Sequence, residues 1–340
     1  MEHLLGKTIE ELKVVTAKVS LPVYAAGQIA DWLYKKKIKS VDEMTNISAA
    51  KRKQLSLYYD IGAMPPVEAI HSSDGTIKYM FATGDGSGFV ESVFIPSKDR
   101  ATLCVSSQVG CKMNCRFCMT GKQGFTAQLA AYDIINQIQS IPKNEELTNI
   151  VFMGMGEPLD NTDELFNALE ILTSTYGYAW SPKRITVSTV GILPGLKLFL
   201  DKSECHLAIS LNSPFHEERL SLMPVEKTYQ IDNIINLLHE YDFSHQRRVS
   251  FEYIMFEGLN DTERHTKELS RLLKGLDCRV NLIKFHSIPG VDLKSSNERK
   301  IELFRDKLNS SGITCTIRMS RGEDIFAACG MLSTTKNNKK

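Results

Sequence analysis

No apolar run in the chain reaches the ~20 residues that a membrane-spanning helix needs, so no helical membrane span is expected. A charge excess is lacking too. With 41 Lys and Arg against 40 Asp and Glu, the net charge is +1, and any polyanion would have to be met by local patches rather than by a global field. Met1-Glu2-His3 opens no secretory leader, and eight cysteines without one predict a reducing, cytoplasmic setting in which thiols serve metals or redox chemistry. The most informative absence is local. The loop Gly110–Gly121 holds Cys111, Cys115 and Cys118 but no fourth cysteine.

That C-x3-C-x2-C spacing lies between an apolar strand and a helix, and three thiolates on so short a loop can hold a metal centre. A zinc site wants four ligands and favours C-x2-C pairs, so it fits less well. A disulfide within the loop would strand one cysteine. A [4Fe-4S] cluster on three cysteines leaves one iron open to a non-protein ligand. Such an iron can chelate S-adenosylmethionine (SAM), pass an electron to its sulfonium and split it into methionine and a 5'-deoxyadenosyl radical.

The rest of the chain supplies a setting for that loop. Residues 1–65 read as helical, with apolar spacing over Thr8–Val19, Ala25–Lys35 and Ser48–Tyr58. Between Asp31 and Asp60, seven basic residues face four acids, a local +3 that suits either a solvated helix face or RNA phosphate contact. Residues 66–98 switch to alternation, with strands Thr76–Ala82 and Phe89–Ile95 paired as a hairpin across a glycine-rich turn.

From residue 99 to 332 strands alternate with helices. The strands are Thr102–Ser107, Asn149–Met153, Arg184–Thr189, His206–Leu211, Val249–Phe256, Val280–Phe285 and Thr314–Met319. The helices are Ala127–Gln139, Asp163–Thr175, Leu193–Leu200, Ile231–Tyr241, Thr262–Leu273 and Glu298–Asn309. This is an α/β pattern, and it predicts an open, partial βα barrel of the TIM type, one strand short of eight, with chemistry at the C-terminal strand ends. Residues 333–340 read as a disordered polar tail.

Further candidates cluster at those strand ends. Gly154-Met155-Gly156-Glu157-Pro158-Leu159 is a glycine-rich turn in which backbone can approach a ligand and Glu157 offers an acceptor. Ser188 and Ser210-Leu211-Asn212 close two strands, as strand caps or as ligand contacts. Cys104 lies just before the cysteine loop, and Cys329 follows the last strand in Ala327-Ala-Cys-Gly330. By position alone each reads as a small buried hydrophobe or a nucleophile at the barrel mouth, whereas Cys205, Cys278 and Cys315 read as core.

Taken together, Cys104-Val-Ser-Ser-Gln-Val-Gly-Cys111, Cys115-Arg-Phe-Cys118, Phe152-Met-Gly-Met-Gly-Glu-Pro-Leu159 and Ala327-Ala-Cys-Gly330 resemble the RlmN/Cfr family of radical SAM RNA methyltransferases. The likeness runs in order along essentially the whole chain, including Ala26-Gly27-Gln28 and Met44-Thr45-Asn46. Gly156-Glu157-Pro158-Leu159 and Arg321-Gly322-Glu323-Asp324 fit the C2-methylating RlmN branch better than the C8-methylating Cfr branch, which stays the alternative.

The resemblance implies a [4Fe-4S] cluster on Cys111, Cys115 and Cys118, and SAM held by Gly156, Glu157, Ser188, Ser210, Leu211, Asn212 and His286. It implies that Cys329 is methylated by one SAM and becomes a methylene radical through a second, which adds to C2 of adenosine in 23S rRNA or tRNA. Cys104 then resolves the protein–RNA thioether as a disulfide, and Glu91 takes the C2 proton. It also implies RNA contact by residues 1–65, with Lys183-Arg184 and Arg247-Arg248 as further phosphate contacts, a flipped-out target base, a flavodoxin- or ferredoxin-type reductant, and a monomer. Two positions depart from the family pattern: His286 stands where Asn is common, and Asn212 where His is frequent. Either exchange keeps a neutral hydrogen-bonding group. A non-catalytic zinc or iron–sulfur protein that binds RNA is the contrasting class, and it would leave Cys104 and Cys329 dispensable.

Overall fold

The computed structural model describes residues 1–245 and 247–334. Its centre is a ten-stranded sheet. Strands β3 (Glu68–His71), β4 (Ile77–Ala82), β5 (Phe89–Ser97) and β6 (Arg100–Cys104) run antiparallel at one side. From β6 onward the sheet is parallel, through β9 (Asn149–Phe152), β10 (Ile185–Thr189), β11 (His206–Ser210), β12 (Val249–Met255), β13 (Cys278–Lys284) and β14 (Thr314–Arg318). These seven parallel strands are the ones expected from the sequence, and β14 and β3 form the edges, so the barrel is open.

Parallel neighbours require long crossovers, and helices supply them: α5 (Ala131–Gln139), α6 (Thr162–Thr173), α7 (Leu193–Lys202), α8 (His216–Leu222), α9 (Ile231–Leu238), α10 (Glu263–Leu272) and α11 (Glu298–Ser310). Alternation along each strand sorts side chains between helices and lumen. In β12, Val249, Phe251, Tyr253 and Met255 are fully buried against the helices, while Ser250, Glu252 and Ile254 face the lumen. By the same rule Cys104 faces inward. Cys205, Cys278 and Cys315 lie in the hydrophobic core.

Ahead of the sheet come α1 (Ile9–Lys18), α2 (Ala25–Ala30) and α3 (Ala49–Leu55), closed by a short parallel pair of β1 (Glu2–His3) and β2 (Tyr59–Asp60). Thr8 caps α1 through a reciprocal bond pair with Glu11. Leu4, Leu12, Ile29 and Leu33 join one continuous core with the barrel helices. Tyr132 Oη donates to the Gly62 carbonyl (2.7 Å), and Lys37 reaches Glu145 (2.5 Å), so the helical segment is fastened to α5 and to the turn before β9.

Three expectations change. The hairpin is a three-stranded unit, because Glu68–His71 adds a mostly exposed strand to β4. The helix expected from Ala127 starts at Ala131, because β8 (Phe125–Gln128) pairs with β7 (Gln108–Gly110) under the cysteine loop. The tail expected to be disordered from 333 is fixed at its start: the Ser333 N–H donates to Glu91 Oε2 (3.0 Å) and the Thr334 N–H to Gln123 Oε1 (3.0 Å). The rest of that expectation, residues 335–340, lies outside the described residues.

Candidate active site

The cysteine loop leaves the end of β7 and enters α4 (Met119–Gln123). Its entry is a tight turn. Gly110 has φ +78°, and a Cβ there would lie 1.7 Å from the Gly124 carbonyl oxygen, so only glycine fits. The loop is roofed by the chain's end: the Met119 N–H donates to the Gly330 carbonyl (2.8 Å) and Thr120 Oγ1 to the Leu332 carbonyl (2.7 Å). Cys329 is thereby brought over the barrel.

A cavity of about 190 Å³ opens at the C-terminal strand ends. Its wall gathers Cys104, Cys111, Cys115, Cys118 and Cys329, together with Gly156, Glu157, Ser188, Ser210 and Asn212 from the expected set. Three expected residues are elsewhere. Leu211 is fully buried in the core, and its carbonyl accepts from Arg219 Nε (3.1 Å). His286 is buried against the C-terminal loop, with Nε2 bonded to Ser320 Oγ (2.9 Å) and Nδ1 3.2 Å from the Glu323 carboxylate without hydrogen-bond geometry. Glu91 sits behind Ser333 and is paired with Lys78 (3.1 Å). Burial pushes its carboxyl up, and Lys78 opposes the shift.

Glu157 is tied back to the protein. Its carboxylate accepts from Thr189 Oγ1 (2.5 Å), the Val190 N–H (2.9 Å) and the Leu159 N–H (3.1 Å). Burial nevertheless pushes it up to about 7. It therefore braces the ends of β9 and β10 while bordering the cavity. Gly156 beside it has φ +99°, and a Cβ would meet Gln108 Cβ at 2.6 Å, which closes the backbone against β7. Asn212 adopts the left-handed conformation (φ +58°), which asparagine tolerates better than most residues. Its Oδ1 accepts from the Ile254 N–H (2.9 Å).

Cys111 and Cys115 are buried and Cys118 is half-buried. Burial pushes Cys111 up to about 12 and raises Cys115 as well, with Cys118 and Cys111 adding to the rise at Cys115. Uncharged thiols are what apolar surroundings favour, and a polycationic metal centre reverses that preference by binding the thiolates. Among the described residues no three His, Cys, Asp or Glu side chains converge on one ion-sized point. A tetrahedral zinc ion needs such convergence, whereas an iron–sulfur cube takes each thiolate at a different iron. Three thiols lining one open cavity are the donor set that a cluster takes.

Cys104 and Cys329 meet on the same wall. Burial pushes Cys104 up to about 12, the facing Cys329 adds to the rise, and Arg318 opposes it. Two charged wall residues escaped the sequence reading. Arg318 Nη1 donates to Glu252 Oε2 (3.1 Å) and lies 3.2 Å from Met153 Sδ. A Glu at a lumen-facing position of an otherwise apolar strand was the available signal. Nearby, fully buried Arg219 pairs with Glu226 and donates to the carbonyls of Val190 (2.8 Å) and Ser210 (3.0 Å), pinning the ends of β10 and β11.

An open parallel barrel with three thiols gathered on its first C-terminal loop defines a protein of the radical SAM class. Residues 105–269 match the model of the Radical SAM superfamily, and residues 2–61 match that of the Ribosomal RNA large subunit methyltransferase N-terminal domain. A Parabacteroides distasonis protein named "Probable dual-specificity RNA methyltransferase RlmN" is 68% identical, across 98% of this chain and 97% of its own. The Syntrophus aciditrophicus "Dual-specificity RNA methyltransferase RlmN" is 42% identical across 97% of this chain and 96% of its own. The crystal structure of a radical SAM methyltransferase from Sphaerobacter thermophilus superposes with a TM-score of 0.90 at 37% identity, covering 97% of this chain and 99% of that one. The chain belongs to the RlmN family of dual-specificity RNA methyltransferases. No helix among the described residues is long and apolar enough to cross a membrane.

Proposed function

We propose that this enzyme methylates C2 of adenosine in 23S rRNA, at the peptidyl transferase centre, and in tRNA, at the adenosine 3' of the anticodon. The observation that carries the reading is the meeting of Cys104 and Cys329, from opposite ends of the barrel sequence, on the wall that holds the three loop thiols.

Cys111, Cys115 and Cys118 would hold a [4Fe-4S] cluster, with SAM against Gly156, Ser188, Ser210 and Asn212. When bound, that pair supplies the electron and the 5'-deoxyadenosyl radical that removes a hydrogen atom from a methyl group. Cys329, exposed at the cavity roof, is the thiol placed to carry that methyl and then the adenine. Cys104, buried beneath it, attacks the Cys329 sulfur. A Cys104–Cys329 disulfide forms as the bond from sulfur to the methylene carbon breaks, that carbon takes a proton to become the methyl group on the base, and a reductant's two electrons restore both thiols. Arg318 favours the thiolate that this attack needs. Glu91 accepts the C2 proton. For that, the segment carrying Ser333 lifts, since its N–H occupies Glu91 Oε2. The basic helices between Asp31 and Asp60 meet RNA phosphates, a flavodoxin- or ferredoxin-type protein supplies electrons, and the enzyme works as a cytoplasmic monomer.

Cys104→Ala tests the resolving step. The variant is expected to purify carrying covalently attached RNA that ribonuclease trims to a nucleotide on Cys329, with turnover abolished. Native mass without an adduct, from protein containing its cluster, would overturn the role. Nucleoside mass spectrometry of rRNA and tRNA from a host lacking its own enzyme should show 2-methyladenosine in both pools. 8-Methyladenosine would instead place the chain in the Cfr branch.

A further inference from the structure

The lumen-facing series that ends in the active-site cavity begins at the opposite, N-terminal mouth of the barrel. Ser250, Glu252 and Ile254 succeed one another along β12, and Arg279, Asn281 and Ile283 along β13. The first members of these series line a second cavity of about 220 Å³. This is more than ten times the ~15 Å³ that one water needs, so a solvated small anion fits.

Its charge is one-sided. Arg100 opens β6, Arg248 precedes β12, Arg279 lies near the start of β13, and all three are exposed at the mouth. The single carboxylate on this wall is Glu252, and it is already committed: it takes Arg318 Nη1 (3.1 Å) and Asn281 Nδ2 (2.8 Å). Among the described residues none of the three mouth arginines makes an ion pair. Arg100 Nε bonds the neutral Asn149 Oδ1 (2.9 Å). Burial, then the charges of Arg279 and Arg100, holds the Arg248 guanidinium below its usual value.

His206 completes the ring. Its Nδ1 accepts the Arg248 N–H (3.0 Å), which leaves the ring proton on Nε2 as a donor. Burial first, then Arg248, Lys183 and Arg279, lowers its pKa to about 4, so it is neutral at physiological pH.

We propose that the N-terminal mouth of the barrel is a binding site for the terminal phosphate of a small soluble molecule, or for inorganic phosphate, separate from the active-site cavity. Guanidinium forks suit tetrahedral oxyanions, and three of them arriving from different strands can share the oxygens of one phosphate. A planar carboxylate would satisfy two at most. The site is ringed by strand ends, which suits a terminal phosphate better than a diester inside an RNA chain. Val151, Met153, Glu252 and Arg318 belong to both cavity walls, so one layer of side chains divides this site from the active one.

The test is isothermal titration of the full chain, with its iron–sulfur cluster in place, using inorganic phosphate against chloride at constant ionic strength. One saturable site is expected. Arg248→Gln and Arg279→Gln should each weaken binding at least tenfold, and the double variant should abolish it. Lys267→Gln, on the exposed face of α10, should change nothing. The urea midpoint of each variant, measured without phosphate, checks that folding is intact. Absence of saturable binding, or binding unchanged in the folded double variant, would overturn the proposal. So would displacement of the phosphate by an RNA oligonucleotide without terminal phosphates at equal phosphate concentration, because that would assign the mouth to RNA.

Discussion

Arg219 stands at the C-terminal end of the barrel and Arg279 at its N-terminal end, and the two guanidinium groups live under opposite rules. Arg219 is fully buried, paired with Glu226, and its remaining N–H groups are spent on the carbonyls of Leu211, Val190 and Ser210. Arg318 at the same end leans on Glu252. Arg279, Arg248 and Arg100 face solvent, with no carboxylate paired to them among the described residues. A charge taken out of water has to be neutralised by its neighbours, and in doing so it fixes them in place. A charge left at a wet mouth needs no partner and stays free for a ligand. One end of the barrel is thus built for fixed geometry and the other for exchange.

The largest effect that this contrast predicts is at Arg219. Arg219→Met leaves Glu226 fully buried, with His216 Nδ1 (2.9 Å) and the Ile231 N–H (3.1 Å) as its remaining partners. The expected loss is about 3–5 kcal/mol, typical of breaking one side of a buried ion pair. Arg219→Met with Glu226→Leu should recover part of it and no more, because three carbonyls still lack their donors. Urea unfolding of the single and double variants measures both. A loss below about 1 kcal/mol in the single variant would show that Arg219 is not the pin described.

How much of this was legible in the sequence follows from the same physics. All seven parallel strands were, because strands covered on both faces are nearly continuous apolar runs bounded by turn residues, as in Asn149–Phe152 and His206–Ser210. The loop thiols were legible because their spacing is itself the chemistry. Strand Glu68–His71 was not, since an edge exposed along most of its length carries little alternation. The Phe125–Gln128 strand was hidden because its partner, Gln108–Gly110, lies across the cysteine loop, and local pattern reads it into the following helix. Arg219 and Glu226 sit on the short segments His216–Leu222 and Pro224–Lys227, whose spacing does not disclose that they pair. Periodicity tells which way a side chain points, but not what another strand has placed opposite it. Arg248 was legible as a phosphate contact, but its company was not: Arg100 and Arg279 come from strands far apart in sequence.

A smaller effect is expected at His206, and it depends on pH. Its folded pKa, about 4, lies below the ordinary 6.5. Between these values the unfolded chain binds more protons than the native one, so stability falls as pH drops from about 6.5 to 4 and is unaffected above 6.5. Because the ring is only half-buried, the contribution is discounted to roughly 1 kcal/mol. His206→Asn should therefore flatten the acid side of the stability–pH profile while leaving neutral stability within about 0.5 kcal/mol. An unchanged slope between pH 6.5 and 4 would mean that His206 is not surrounded by the positive field assigned to the mouth.

The smallest effect is the one that most directly sharpens the comparison. If Arg248 and Arg279 have no internal partner, converting either to Gln removes repulsion and no attraction. Stability should move by less than about 0.5 kcal/mol, upward if at all. Because the repulsion runs between solvent-exposed charges, any gain should appear in 10 mM salt, where the screening length is about 30 Å, and vanish in 1 M salt, where it is about 3 Å. Thermal unfolding at the two salt concentrations separates this from a packing effect, which salt would leave alone. A loss above about 2 kcal/mol in either variant would mean that the arginine has the structural partner which Arg219 has. The two ends of the barrel would then differ only in solvent exposure, and the phosphate assigned to the mouth would lose its unpaired charges.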